Sequence, residues 1–146
     1  MFCKSLNGKS QLNVYMNNSK VLKGILIFLG LFLIALGSFR LIDPVSSFES
    51  LGMVLDGAVG PLSEARGTGG VLLGFGLLIL LGAFKKKLTY TSTLAAIVLF
   101  FGFGIGRIIG VAFDGNPGNA LLTGIITEFA FGLVALFALI KYRDRS

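Results

Sequence analysis

The sequence predicts an all-α membrane protein, with four transmembrane helices in an antiparallel bundle and both termini in the cytoplasm. Three observations predict it. The 146 residues are 54% hydrophobic and 14% charged, with a mean hydropathy of +0.86, whereas a soluble domain is about a quarter charged. Four apolar stretches stand apart, each close to the ~20 residues that a helix needs to cross a hydrocarbon core. The charges between them segregate by sign. A backbone in lipid must satisfy its own hydrogen bonds, so each stretch is read as a helix. The 21 glycines and 14 phenylalanines fit closely packed membrane helices.

Residues 1–20 are polar, rich in Asn, Ser and Lys, and read as a mobile cytoplasmic tail. Met16 stands just before Asn17-Asn18-Ser19-Lys20 and the first apolar run, so translation from Met1 or from Met16 fits. No apolar run precedes Cys3 as in a lipoprotein signal, and Cys3 reads as a free thiol. The transmembrane domain spans 21–141. Its first helix, 21–42, is interrupted only by Lys23 and Arg40 near its ends. Ala35-Leu36-Gly37 resembles a signal-peptide cleavage site. Phe39, Leu41 and Ile42 carry the apolar character past that point, which favours a retained helix.

The connection 43–66 is the longest. Asp43-Pro44 is a helix start, with an acceptor side chain at the cap and proline at the first helical position. Val45, Phe48 and Leu51 follow at helical spacing and Gly52 can end the run, which predicts a short interfacial helix. Ser63 is a candidate cap for the second helix, 67–84, which carries no charge until Lys85. The third helix, 94–113, carries Arg107, and the fourth, 121–140, carries Glu128. Residues 142–146 form a second cytoplasmic tail.

The basic residues fix the orientation. Lys4, Lys9, Lys20 and Lys23, then Lys85-Lys86-Lys87, then Lys141, Arg143 and Arg145 mark one side. Asp43, Glu49, Asp56, Glu64 and Asp114 mark the other, with Arg66. Positive loops stay in the cytoplasm, so the lysine side is inside a cell membrane, the inner one in a bacterium. The same distribution accounts for the net charge of +6 and makes nucleic acid a poor partner. The expected partner is the lipid bilayer, with a membrane protein or a second copy as further candidates. With no histidine and one cysteine, the chain lacks the ligands for a zinc, haem or iron–sulfur site and the members of a Ser-His-Asp or Cys-His set. No metal or cofactor is expected.

Three patterns bear on function. Gly70 and Gly74 on the second helix, and Gly102, Gly106 and Gly110 on the third, repeat every four residues, as in close-packing helix faces. Gly102 and Gly104 also match the start of a dinucleotide fingerprint, but its third position is Arg107 and no strand precedes it. Arg40, Glu64, Arg66, Arg107 and Glu128 lie in or near the membrane, toward the outer half. Charges at such depth face a bundle interior or a wet cavity. Helices three and four are joined by a short turn, 114–119, so they should be antiparallel neighbours. At ~1.5 Å per residue, Arg107 lies about 9 Å and Glu128 about 12 Å below that end, so the two should meet. The third pattern is a faint repeat: Gly37, Arg40, Asp43-Pro44 and Glu64 parallel Gly104, Arg107, Asp114, Pro117 and Glu128.

These residues carry a family resemblance. The chain resembles the bacterial membrane family called domain of unknown function 4345, from about Lys20 to Lys141. The likeness rests on Asp43-Pro44, Glu64-Ala65-Arg66-Gly67-Thr68-Gly69-Gly70, Gly106-Arg107-Ile108-Ile109-Gly110, Asp114-Gly115-Asn116-Pro117 and Glu128. Thr68 stands where family members often carry an aromatic residue. The resemblance implies four helices and no particular activity. A more distant likeness is to DoxX-like four-helix membrane proteins, at the level of fold. The first functional reading is a structural or accessory subunit of a membrane complex rather than an enzyme. Its rivals are a transporter or binding protein for a small polar or anionic solute at the outer Arg/Glu cluster, and a membrane redox or lipid-modifying subunit.

Overall fold

The computed structural model describes residues 19–116 and 118–143. Met16, Cys3 and Pro117, named above, lie outside the described residues. The described residues form five helices: α1 Lys20–Ile42, α2 Pro44–Glu49, α3 Val59–Phe84, α4 Lys86–Asp114 and α5 Asn119–Tyr142. All but α2 are long and apolar enough to cross a membrane.

Each long helix exceeds its apolar stretch, because hydropathy detects only the part that sits in hydrocarbon. At ~1.5 Å per residue the 29 residues of α4 extend about 44 Å, beyond a core of about 30 Å. Helix α3 starts at Val59, eight residues before the apolar run predicted from 67. Pro61 falls in its first turn, where proline is tolerated. Ser63 therefore lies inside the helix and is not its cap. Ala58 holds the cap position without a side-chain bond, and the Asp56 side chain accepts from the Ala58 N–H at 3.1 Å.

Helix α4 begins at Lys86 rather than at 94, and the connection from α3 shrinks to Lys85 alone. Hydroxyls replace a loop there. Thr89 Oγ1 donates to the Gly82 carbonyl at 2.8 Å and Ser92 Oγ to the Leu78 carbonyl at 2.7 Å. Ser92 is fully buried, and a Cβ at Gly82 would run into its side chain.

Helix α1 is capped by Ser19, whose hydroxyl accepts from the Val21 N–H at 3.2 Å. Its buried stripe is Leu22, Leu26, Leu29, Gly30, Leu33, Gly37 and Arg40. This stripe packs on α3 through glycines. A Cβ on Gly37 would lie 2.5 Å from the Leu73 backbone nitrogen and 2.7 Å from the Gly69 carbonyl oxygen. A Cβ on Gly30 would lie 2.9 Å from the Leu80 nitrogen, and one on Gly76 would lie 2.9 Å from the Gly30 carbonyl oxygen. Gly30 and Gly37 thus interlock with Gly76 and Gly69, seven residues apart on each helix.

The glycines singled out by their four-residue spacing do something else. Around Gly70, Gly74, Gly102 and Gly106 nothing stands within 4 Å of a built Cβ, and at Gly110 only an Asp114 carboxylate oxygen does, at 3.9 Å. Spacing identifies a smooth face but not what it meets.

Helices α4 and α5 run antiparallel, joined by Gly104 under the Phe129 ring, Gly132 under Phe101, and the Phe101–Phe129 pair at 5.6 Å. Helix α5 reaches α1 mainly through Phe131, whose ring stacks edge-on with Phe28, Phe32 and Phe100 at 5.6, 5.0 and 5.4 Å. The outer faces carry Phe28, Leu31, Val98, Ile109, Ile126 and Phe137, all about half-exposed or more. In a membrane these contact lipid chains. One end of the bundle collects Lys20, Lys23, Lys85–Lys87 and Lys141. The opposite end carries α2 and the acidic connections.

Candidate functional site

Helix α2 closes the acidic end. The Asp43 carboxylate accepts from the Ser46 N–H at 3.1 Å, and Pro44 takes the first helical position, as predicted. Hydrogen bonding by Ser46, side chain before backbone, holds the Asp43 pKa below the usual carboxylate range. Gly52, at φ +77°, ends the run in a left-handed conformation that favours glycine. Val45, Phe48 and Leu51, the helically spaced apolar positions, are only partly covered, and Pro44 and Ser47 are buried. Helix α2 therefore folds onto the bundle end, with Ser47 turned into it.

Beneath α2 lies a cavity of about 310 Å³, between α1, α4 and α5. Phe32, Phe100 and Phe131 line it together with Leu33, Leu36 and Leu99. Its charged residues are Arg40, Arg107 and Glu128, and its hydroxyls come from Ser47, Ser50, Thr123 and Thr127. Arg107 Nε donates to Glu128 Oε1 at 2.9 Å, with the two side chains 22% and 15% exposed. It is the ion pair among the described residues, and it joins the two residues whose depths matched in the sequence. Gly106 and Gly110 do not bring those helices together; Gly104, Gly124 and Gly132 do, and a Cβ on Gly124 would lie 3.9 Å from the Arg107 guanidinium.

Arg40 enters from α1 on the same register as the leucine stripe, and the residue is 5% exposed. Its guanidinium lies 5.0 Å from the centre of the Phe48 ring, a cation–π contact. Arg40 Nε, Ser47 Oγ and Glu128 Oε2 are buried without a hydrogen-bond partner among the described residues. All three belong to this one cavity. Counted as ionised, its charged residues leave one positive charge.

Glu64 and Arg66 lie elsewhere. Both are exposed near the start of α3, on either side of the buried Ala65. Arg66 Nη1 donates to the Leu41 carbonyl at 3.4 Å, and Glu64 forms no ion pair among the described residues. Of the five residues in the sequence cluster, the fold brings together Arg40, Arg107 and Glu128. Asp43 acts as the cap of α2. Asp114 ends α4 and borders a second, larger groove. Ser47 and Ser50 were missed, although the helical spacing from the Asp43 cap would have found Ser47 one turn in. Among the described residues no group of three or more His, Cys, Asp or Glu side chains is placed to hold a metal.

Four long apolar helices, a glycine-locked α1–α3 pair and a charged cavity at one end define a small multi-pass membrane protein. The family described as "Domain of unknown function (DUF4345)" matches residues 21–139, and the chain belongs to it. No curated protein and no solved structure matches the chain. The DoxX-like likeness therefore gains no support from them.

Proposed function

We propose that this protein is a membrane-embedded binding protein for a small anion, held between Arg40 and the Arg107–Glu128 pair. One observation carries this reading: the three buried polar atoms without partners converge on one cavity with a net positive charge. An unpaired buried ion costs several kcal/mol, and each unpartnered buried polar group about 1–3 kcal/mol. Phe48 offsets part of the cost at Arg40, since a desolvated cation–π contact is worth about 2 kcal/mol. An anionic ligand that accepts from Arg40 and Ser47 satisfies two of the three atoms, and one that also carries a hydroxyl can donate to Glu128. The mostly apolar walls select a ligand with an apolar part. The basic end lies in the cytoplasm by the positive-inside rule, which puts the cavity in the outer half of a cell membrane.

The test is ligand-dependent thermal stability of the purified protein. Hexanoate should raise the unfolding midpoint of the parent, hexanol should not, and Arg40→Gln should abolish the hexanoate effect. A structural or accessory subunit would show no such response and would instead co-purify with a stoichiometric partner.

A further inference from the structure

A second groove adjoins the cavity and shares Arg40, Leu99, Phe103 and Arg107 with it. It is larger, about 730 Å³, and lies between α3 and α4, with Phe75 and Thr68 on one wall. Its other wall is the bare glycine face of α4: Gly102, Gly106 and Gly110. These glycines are exposed or half-exposed and meet no packed atom of another helix. The groove's charged residues are Arg40, Arg107 and Asp114, again one net positive charge.

The geometry points to an anionic phospholipid with a hydroxylated head group as the ligand, its head in the cavity and an acyl chain along the glycine face. This assignment rests on the anion-binding function proposed above. Three features select it. Arg40 borders both spaces and its buried Nε has no partner, so a lipid phosphate at their junction meets a ready donor. Glu128 Oε2 accepts and has no donor, which a head-group hydroxyl supplies and a bare carboxylate or phosphate cannot. The glycine face presents a smooth apolar channel, and the surrounding medium is lipid.

Native mass spectrometry of the purified protein tests this with dioleoyl phosphatidylglycerol, dioleoyl phosphatidylcholine, glycerol 3-phosphate and hexanoate as probes. Gly106→Leu projects into the groove from a position where a Cβ meets nothing within 4 Å, and Gly24→Leu, where a Cβ also meets nothing within 4 Å, at the other end of α1 from Arg40, is the control. Phosphatidylglycerol should bind the parent and Gly24→Leu alike. Its affinity should fall by about tenfold or more in Gly106→Leu and in Arg40→Gln, a loss of about 1.4 kcal/mol. Phosphatidylcholine should bind weakly throughout. If hexanoate or glycerol 3-phosphate binds the parent and Gly106→Leu equally well and phosphatidylglycerol gains nothing over them, the lipid assignment falls and anion binding stands. If no anion binds, both fall. Loss of a dimer in Gly106→Leu with lipid binding unchanged would assign the groove to a second copy and overturn the proposal.

Discussion

Substituting Gly37 by alanine tests what holds α1 to α3. The added Cβ would lie 2.5 Å from the Leu73 nitrogen and 2.7 Å from the Gly69 carbonyl oxygen, whereas ordinary contact begins at 3.4 Å. The two backbones must therefore separate by about 0.9 Å at that point (3.4 less 2.5). Neither neighbour can rotate away, because both are main-chain atoms of a helix. Overpacking of this kind typically costs about 1–3 kcal/mol. Alanine also gains about 1 kcal/mol of helix propensity over glycine, which leaves a net loss of up to about 2 kcal/mol. Gly70→Ala receives the same propensity gain with open space around its Cβ. The pair of variants thus separates helix propensity from interhelical contact. Equilibrium unfolding in mixed detergent and dodecyl sulfate, followed by near-ultraviolet circular dichroism, reads the loss of tertiary packing. Gly37→Ala should unfold at lower dodecyl sulfate and Gly70→Ala at the parent value or above. Equal shifts in the two variants, or none at Gly37, would refute close backbone approach as the basis of the α1–α3 interface.

The Arg107–Glu128 pair should show coupling. Each alanine variant leaves a largely covered charge and should lose on the order of 3 kcal/mol or somewhat less, while the double variant loses less than the sum, as a thermal double-mutant cycle measures. At the lysine end, Gly82→Ala should destabilise by pressing on Ser92, and Ser92→Gly in the same chain should restore part of the loss; an unchanged midpoint in the double variant would break the link. Reporter fusions should show Lys87 and Ser146 in the cytoplasm and Asn116 outside, and an exported carboxyl terminus would invert the assignment of the cavity to the outer half.

The four helices were legible because length and hydropathy are properties of each segment alone. The starts of α3 and α4 were not. Ser92 and Thr89 look like loop residues, and only the α3 carbonyls that accept from them make the start of α4 helical. The same limit applies to glycine: a four-residue repeat marks Gly102, Gly106 and Gly110, yet the tightest contacts use Gly30, Gly37, Gly69 and Gly76 at a seven-residue spacing. Which face meets a neighbour depends on the partner helix. The Arg107–Glu128 meeting was legible because a short turn fixes the relative depth of two antiparallel helices. The burial of Arg40 was within reach as well, since it continues the stripe Leu22, Leu26, Leu29 and Leu33. Glu64 was misleading, because it shares a helix end with Ala65 but points away from the core that Ala65 enters.

That difference between the two glutamates decides the chemistry of the site. The sequence contains two similar halves, each with an arginine late in one helix and a glutamate on the next membrane helix. In the second half the pair closes, with Arg107 Nε 2.9 Å from Glu128 Oε1. In the first half it does not close, because Glu64 is exposed at the start of α3 while Arg40 is buried under α2. A mutual ion network holding the bundle in register would need both pairs, and its charges would cancel. Here one arginine is left without an acid, and the Phe48 ring beside it supplies attraction but no proton acceptor. A residue retained only for packing at that position is better served by leucine, which the stripe uses at four other places and which carries no desolvation cost. The arginine is therefore best explained by an acceptor that comes from outside the chain. Arg40→Leu should consequently leave the isolated protein as stable as the parent or more so, while abolishing the stabilisation by hexanoate. A large loss of stability in Arg40→Leu, with the hexanoate response intact, would show that Arg40 serves the fold and not a ligand.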